Sequence, residues 1–298
     1  MKRDYVVDVV ERLPQALISR AWGWLARREH PRAGVAVLKR VFVAYTGIDM
    51  SEAADDIGSY SSLEELFVRT LKPGARRIEP EPTAFVSPVD GTVGACGTVE
   101  SGTLFQVKGR SYELSKLLDD VPEAARYEGG AYCTIYLSPR DYHRIHAPIS
   151  GVVSKATAIP GALMPVFTEA VEKVDELFAR NERLISYVDS ADAGRVAVVK
   201  VGATLVGRMT VPYDNTLRTN QRNQTRMERR YDPPHLIQKG GELGAFELGS
   251  TVVIIAEPGR LQLKDLREGQ TVLMGEGIGT VTARRQKRTK KTSSQSDA

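Results

Sequence analysis

From Pro73 onward the chain is cut into short β-branched runs by Gly, Pro and Asp, and this punctuation constrains the fold more than any other feature. The runs are Ala84-Phe85-Val86, Gly91-Thr92-Val93-Gly94, Ala131 to Leu137, Gly151-Val152-Val153, Arg195 to Val201, Thr251 to Ala256 and Thr271 to Met274. They are strand-length, and β-branched side chains fit a pleated surface. Such spacing predicts a β-rich sandwich or a partly closed barrel. Asp90-Gly91-Thr92-Val93 and Ile149-Ser150-Gly151-Val152-Val153 repeat one strand-entry turn, which predicts pseudo-symmetric halves. Asn215 to Pro234, rich in Asn, Gln, Arg and Thr, reads as a surface loop or hairpin.

Before Pro73 the periodicity is helical. Leu13, Leu17, Ala21, Trp24 and Leu25 recur at helical spacing, with Arg20, Arg27 and Arg28 elsewhere on the wheel. Val35, Leu38, Val41, Phe42 and Tyr45 form a second such face. A third helix is predicted from Ser62 to about Leu71, ending before Lys72-Pro73-Gly74. The expected class is therefore α+β, with an amphipathic helical region over 1–72, a β-rich domain over 73–283 and a basic tail over 284–298. Trp22 and Trp24 beside arginines suit helices lying flat on an anionic bilayer. The competing reading is a helix packed on its own domain.

The formal charge of +4 belongs to the tail, where Arg284, Arg285, Lys287, Arg288, Lys290 and Lys291 face Asp297 alone. This tail offers nothing to bury and reads as disordered, either a solubilising end or a contact for anionic surfaces. Its six cations suit anionic lipid or nucleic acid by charge alone, and no nucleic-acid partner is expected on the reading reached below. No apolar stretch approaches the roughly 18–20 residues of a spanning helix, and Asp4 interrupts the basic start of a would-be secretory signal. Neither a secreted nor a transmembrane protein is expected. Cys96 and Cys133 lack metal-like spacing and read as buried reduced thiols.

Three segments carry chemistry. In Phe246-Glu247-Leu248-Gly249-Ser250-Thr251 the Ser250 hydroxyl lies next to the Gly249 carbonyl, where the missing Cβ leaves room for attack. Taken alone, Gly249-Ser250-Thr251 is more often a turn entering a strand. Attack needs a base, and two of the four histidines fall together in Ser138-Pro139-Arg140-Asp141-Tyr142-His143-Arg144-Ile145-His146-Ala147-Pro148. Ser138 is a good N-cap and Pro139 a good first helical residue, so a short helix is predicted with His143 and His146 on one face. A metal pair is the competing reading; it lacks a third ligand, and no metal is expected. Asp90, in Ser87-Pro88-Val89-Asp90-Gly91, supplies a carboxylate able to orient an imidazole, and Asp-Gly is also a strong turn signal.

These three motifs stand in the order and at the approximate separations of the phosphatidylserine decarboxylases. Tyr60-Ser61-Ser62-Leu63-Glu64-Glu65-Leu66-Phe67-Val68-Arg69 and Val201-Gly202-Ala203 resemble that family too. The likeness runs to about Val281, and the length resembles the membrane-associated bacterial form. It implies a proenzyme in which Asp90 would hold His146 and His146 would deprotonate Ser250. Attack on the Gly249 carbonyl would then divide the chain into 1–249 and 250–298, which stay together as a heterodimer. Ser250 would become a covalent pyruvoyl group, the only cofactor implied. Its ketone would form a Schiff base with the amine of phosphatidylserine and accept the electrons released with CO2, giving phosphatidylethanolamine. His143 is the candidate to reprotonate the carbon, and the two histidines can exchange roles without altering the motif. The implied partners are phosphatidylserine and an anionic membrane surface, with the protein peripheral on the cytoplasmic face of the cell membrane. Alternatives are a decarboxylase of another serine-headed lipid, an uncleaved lipid-binding β domain without enzymatic activity, and a soluble serine hydrolase acting in trans.

Overall fold

The computed structural model describes residues 15–105, 111–204, 208–221, 223–247 and 250–282. Leu13, Gly249 and the basic tail lie outside the described residues, as do the side chains of Arg20 and Ser250. Three helices come first: α1 (Gln15–Ala26), α2 (Arg32–Thr46) and α3 (Leu63–Phe67). Ser62 caps α3 by accepting the Glu65 N–H. This helix is shorter than its periodicity suggests, because at Val68 the chain turns away and offers its carbonyl to Arg144 Nε at 2.8 Å. Ala26, Tyr60, Leu63, Leu66 and Phe67 close a small core here, with Trp22, Leu38 and Phe42 packed on it.

The strands are β1 (Ala84–Val86), β2 (Gly91–Thr98), β3 (Thr103–Phe105), β4 (Ser111–Glu113), β5 (Ala131–Leu137), β6 (Arg144–His146), β7 (Gly151–Ile159), β8 (Arg183–Ser190), β9 (Gly194–Val201), β10 (Met209–Thr210), β11 (Met227–Ile237), β12 (Glu242–Phe246), β13 (Ser250–Ala256), β14 (Leu261–Leu263), β15 (Thr271–Val272) and β16 (Gly277–Val281). Short helices α4 (Leu114–Leu118), α5 (Val121–Ala125), α6 (Thr168–Lys173) and α7 (Leu177–Arg180) lie between them. The class is α+β and mostly β.

Eight strands form one antiparallel sheet in the order β11-β7-β8-β9-β13-β5-β2-β15. Its order is linear, with β11 and β15 at opposite edges, so the described strands form no closed barrel. Two three-stranded sheets, β1-β16-β14 and β10-β12-β6, accompany it. Val252 and Ile254 of β13 enter one core with Ile145, Leu243, Phe246 and Ile278 of the small sheets. Val253 and Ile255 enter the other, with Leu114, Leu117 and Phe178 of the helices. With both faces covered, β13 reads as an unbroken apolar run instead of an alternating one.

The corners from β1 into β2 and from β6 into β7 cross each other with matching bonds. Val86 N–H donates to the Pro148 carbonyl at 3.0 Å, and His146 N–H to the Pro88 carbonyl at 2.8 Å. Ser87 N–H reaches the Glu276 carbonyl at 2.8 Å, as Ala147 N–H reaches that of Gly241 at 2.7 Å. Gly275 and Gly240 close the corners onto the Ser87 and Ala147 carbonyls at 2.9 and 2.8 Å, with φ of 88° and 78° that favour glycine. Asp90 and Ser150 thus occupy matching places, and His146 is drawn beside the Asp90 turn.

Two other expectations are corrected. Asn215–Pro234 is not all loop, because β11 begins at Met227 and pairs with β7. It is an edge strand, which tolerates polar side chains and Pro233-Pro234 at its register shift. Cys96 and Cys133 are direct cross-strand partners with Cα atoms 4.1 Å apart, joined as a disulfide. Their register, invisible in the sequence, makes them neighbours.

Candidate active site

The residues flanking the Gly249–Ser250 peptide are both anchored to the histidine segment. On one side, Phe246 N–H donates to the His143 carbonyl at 3.0 Å. On the other, Ser250 is the register partner of Leu137, which leads directly into Ser138. The β6–β12 pairing sets Glu242 opposite His146 and Ala245 opposite Arg144. Thr251 lies opposite Val201, which places the end of β9 beside the start of β13.

The histidine segment is not a helix. Asp141 accepts from Ser138 N–H at 2.7 Å and from Ser138 Oγ at 2.9 Å, while its own N–H returns to the Ser138 carbonyl at 2.9 Å. That local closure competes with helix formation, and pairing with β12 then draws Arg144–His146 into a strand. Side chains three apart along an extended chain point to opposite sides, so the two histidines have separate surroundings.

His146 is buried, and its Nδ1 lies 2.8 Å from the Gly240 carbonyl. A carbonyl only accepts, so Nδ1 carries the proton and Nε2 has the lone pair. Nε2 lies 3.2 Å from the Tyr142 hydroxyl. Burial, more than any other cause, holds the imidazole below its ordinary pKa. The ring is therefore neutral at pH 7, with its basic nitrogen free except for one hydroxyl donor.

Asp90 does not bond that ring. Its carboxylate accepts from Arg76 Nε at 2.8 Å, from Arg76 Nη2 at 2.5 Å and from Met274 N–H at 2.8 Å. The last bond has a counterpart in the matching corner, where Ser150 Oγ accepts from Lys239 N–H at 2.8 Å. Asp90 thus performs the turn role as well as presenting a buried charge near His146, whose charged form that charge favours. The Gly240 carbonyl takes the orienting place assigned to Asp90.

His143 is fully buried against the Phe67 ring, centroid to centroid 4.0 Å. Its Nδ1 donates to the Asp141 carbonyl at 2.8 Å, and its Nε2 is buried without a hydrogen-bond partner. Burial pushes its pKa down to about 3, with the charge of Arg69 acting the same way. At rest it is a neutral acceptor. Sequence reasoning passed over Arg76, Tyr142 and the Gly240 carbonyl. Tyr142 stood inside a quoted motif, whereas a backbone carbonyl leaves no side-chain signature.

Residues 63–280 match the family model described as phosphatidylserine decarboxylase. A phosphatidylserine decarboxylase proenzyme of Brevibacillus brevis is 40% identical over 285 residues, covering 95% of this chain and all of that protein. Proenzymes of the same name from Anaeromyxobacter sp. (strain K) and Myxococcus xanthus are 43% and 40% identical, covering 92% and 95% of this chain and 97% and 100% of theirs. The chain belongs to the phosphatidylserine decarboxylase family. The match to the decarboxylase family model begins at the start of α3. The likeness to the Brevibacillus decarboxylase proenzyme, at 95% of the chain, also takes in most of the helical region.

Proposed function

We propose that this protein decarboxylates phosphatidylserine after cutting its own backbone between Gly249 and Ser250. The observation that carries the proposal is the double anchorage of that peptide on the segment holding two neutral, buried histidines. His146 Nε2 takes the Ser250 hydroxyl proton, and Asp90 favours the imidazolium through its charge. The Ser250 oxygen bonds the Gly249 carbonyl carbon as the peptide C–N bond breaks, and the amine takes a proton. Elimination then removes the Ser250 Cα proton, breaks the Cβ–O bond and frees the Gly249 carboxylate, leaving a Cα=Cβ double bond. The remnant takes up water and loses ammonia, leaving a pyruvoyl cap on 250–298.

The surroundings fit such a cap, because Thr251 Oγ1 and His143 Nε2 are buried without partners and can serve polar atoms placed beside them. When formed, the group supplies a carbonyl that binds the substrate amine and accepts the electrons released with CO2. His143 Nε2 is the site we assign to hold and return the proton. Burial and Arg69 keep it neutral at rest, and an incoming carboxylate raises its proton affinity. The two chains stay together as a heterodimer, since β13 remains paired to β5 and β9 across six register positions each.

We place the protein peripherally on the cytoplasmic face of the cell membrane, with residues 1–72 as the contacting region and the body over 73–283 as the catalytic domain. Exposed apolar side chains on α1 and α2 support this, with Trp24 57% and Tyr45 88% exposed and Arg28 stacked over Trp24 at 3.6 Å. Among the described residues no helix is long and apolar enough to cross a membrane. We also read the matching corners as the mark of pseudo-symmetric halves. The test is direct: the protein with phosphatidylserine vesicles releases CO2 and forms phosphatidylethanolamine, and borohydride added during turnover links the substrate amine to the small chain. Fully processed protein that releases no CO2 contradicts the proposal.

A further inference from the structure

Two arginines and two glutamates form a closed cluster beside the cleavage segment. Arg208 Nε donates to Glu247 Oε1 at 2.7 Å, and its Nη2 stands 3.7 Å from Glu64 Oε1. Arg27 Nη1 donates to Glu64 Oε2 at 3.1 Å and stands 3.7 Å from Glu247 Oε2. The Glu64 and Glu247 side chains are only 15% and 7% exposed. Glu64 lies on α3, Arg27 follows α1, and Arg208 leads into β10 and accepts the Glu247 N–H on its carbonyl at 2.8 Å. Glu247 is two residues before Gly249. The cleavage chemistry uses none of the four.

We infer that Arg27, Glu64, Arg208 and Glu247 are positioning residues for self-cleavage, clamping the segment before the scissile peptide to the helical region. Two carboxylates this close and this buried are held together only by cations that bridge them. Each arginine touches both glutamates, so losing one member loosens Glu247 from α1 and α3 together. The inference rests on the self-cleavage reading above. Burial first, and then the charge of Glu247, raises Glu64 to about 7, against the pull of Arg27 and Arg208. Those three groups, from after β12, after α1 and before β10, are the charges that face it. Above that pH the cluster holds two charges of each sign. Below it Glu64 is neutral, its 3.1 Å contact with Arg27 falls from an ion pair to a hydrogen bond, and the tie to α1 weakens.

The test is cell-free synthesis of the full chain, with cleavage followed on denaturing gels from about pH 6 to about pH 8.5. Wild type cleaves several-fold faster above pH 7 than below it. Glu64→Gln cleaves slowly and without that step, and Arg208→Ala is slowed about tenfold at high pH. Stability separates positioning from mere support. With its pKa raised, Glu64 contributes stability that is complete below its ordinary value of 4.5 and lost as pH rises to about 7. Glu64→Gln is therefore no less stable than wild type at high pH, and slower cleavage in that chain cannot come from a weaker fold. Should Arg208→Ala not fold, the Glu64→Gln profile decides alone. A wild-type rate and pH profile in Glu64→Gln overturns the clamp. A wild-type chain that never cleaves overturns the self-cleavage reading instead.

Discussion

On α1 and α2, Leu17, Trp24, Leu25, Val37, Val41 and Tyr45 stand exposed, whereas the β region buries Lys155, Arg183 and Lys200. The contrast is one of degree, since α2 also buries Lys39 while Val121, Leu236 and Leu273 stand exposed in the β region. Each large apolar side chain left in water forgoes roughly 1.5–3 kcal/mol. Each buried charge costs several kcal/mol unless paired. The β region meets that cost internally: Lys155 reaches Asp120 at 2.8 Å and Glu123 at 3.2 Å, and Arg183 Nε donates to the Leu117 carbonyl at 2.9 Å. Among the described residues of α1 and α2, only Trp24 has such cover, from Arg28 at 3.6 Å. On the membrane placement proposed above, an apolar surface would cover the exposed face of the helices, whereas the buried cations of the β region find their partners within it.

The sharpest way to separate the two regions is to change the cleavage centre alone. Ser250→Ala leaves no hydroxyl and should abolish both processing on denaturing gels and CO2 release. His146→Ala should slow processing about a hundredfold or more, as expected for a lost general base. Because burial lowers the His146 pKa, its base form should persist somewhat below pH 6.5, the ordinary histidine value. His143→Ala should cleave normally yet turn over about a hundredfold more slowly in a CO2 assay. Normal decarboxylation by that variant would remove His143 from the proton-returning role.

A milder change tests the helices. Val41 and Tyr45 are exposed and one turn apart on α2. Val41→Asp with Tyr45→Asp should weaken co-sedimentation with anionic vesicles by about tenfold or more, while chain cleavage proceeds at the wild-type rate. Unchanged vesicle binding would show that the exposed face meets something else. The smallest expected effect lies in the β core. Lys200 Nζ donates to Ser186 Oγ at 2.6 Å, and burial lowers its pKa to about 7. Between that value and its ordinary 10.5 the unfolded chain holds the extra proton, so stability should rise with pH across this window. Lys200→Met should flatten the rise in a thermal melt, and an unchanged slope would move the effect to another group.

Both regions are partly legible in the sequence. The run Ala131 to Leu137 became β5 with the same ends, because a β-branched run bounded by Gly130 and Pro139 has few other options. The Val35, Leu38 and Phe42 stripe became the inner face of α2, while Val41 and Tyr45, counted on that stripe, turned outward. Helical spacing fixes a face to within a broad arc and does not say which edge meets solvent. Ser138-Pro139 misled because a good cap opens a turn as readily as a helix, and pairing with β12 decided between them. Long-range register also hid the Cys96–Cys133 pairing, and placed Arg76 on Asp90. Asp90, His146, Ser250 and His143 were nameable from motifs, but their bonding partners were not.

The central claim is that Ser250 breaks the bond before it and stays behind as a keto cap. Intact-mass measurement on denatured, catalytically active protein tests this directly. The account predicts two species, 1–249 and 250–298, the smaller one lighter by the mass of ammonia than a chain beginning with serine. One uncut species of 298 residues from a preparation that releases CO2 from phosphatidylserine, or a small chain with a free serine at its start, would contradict it.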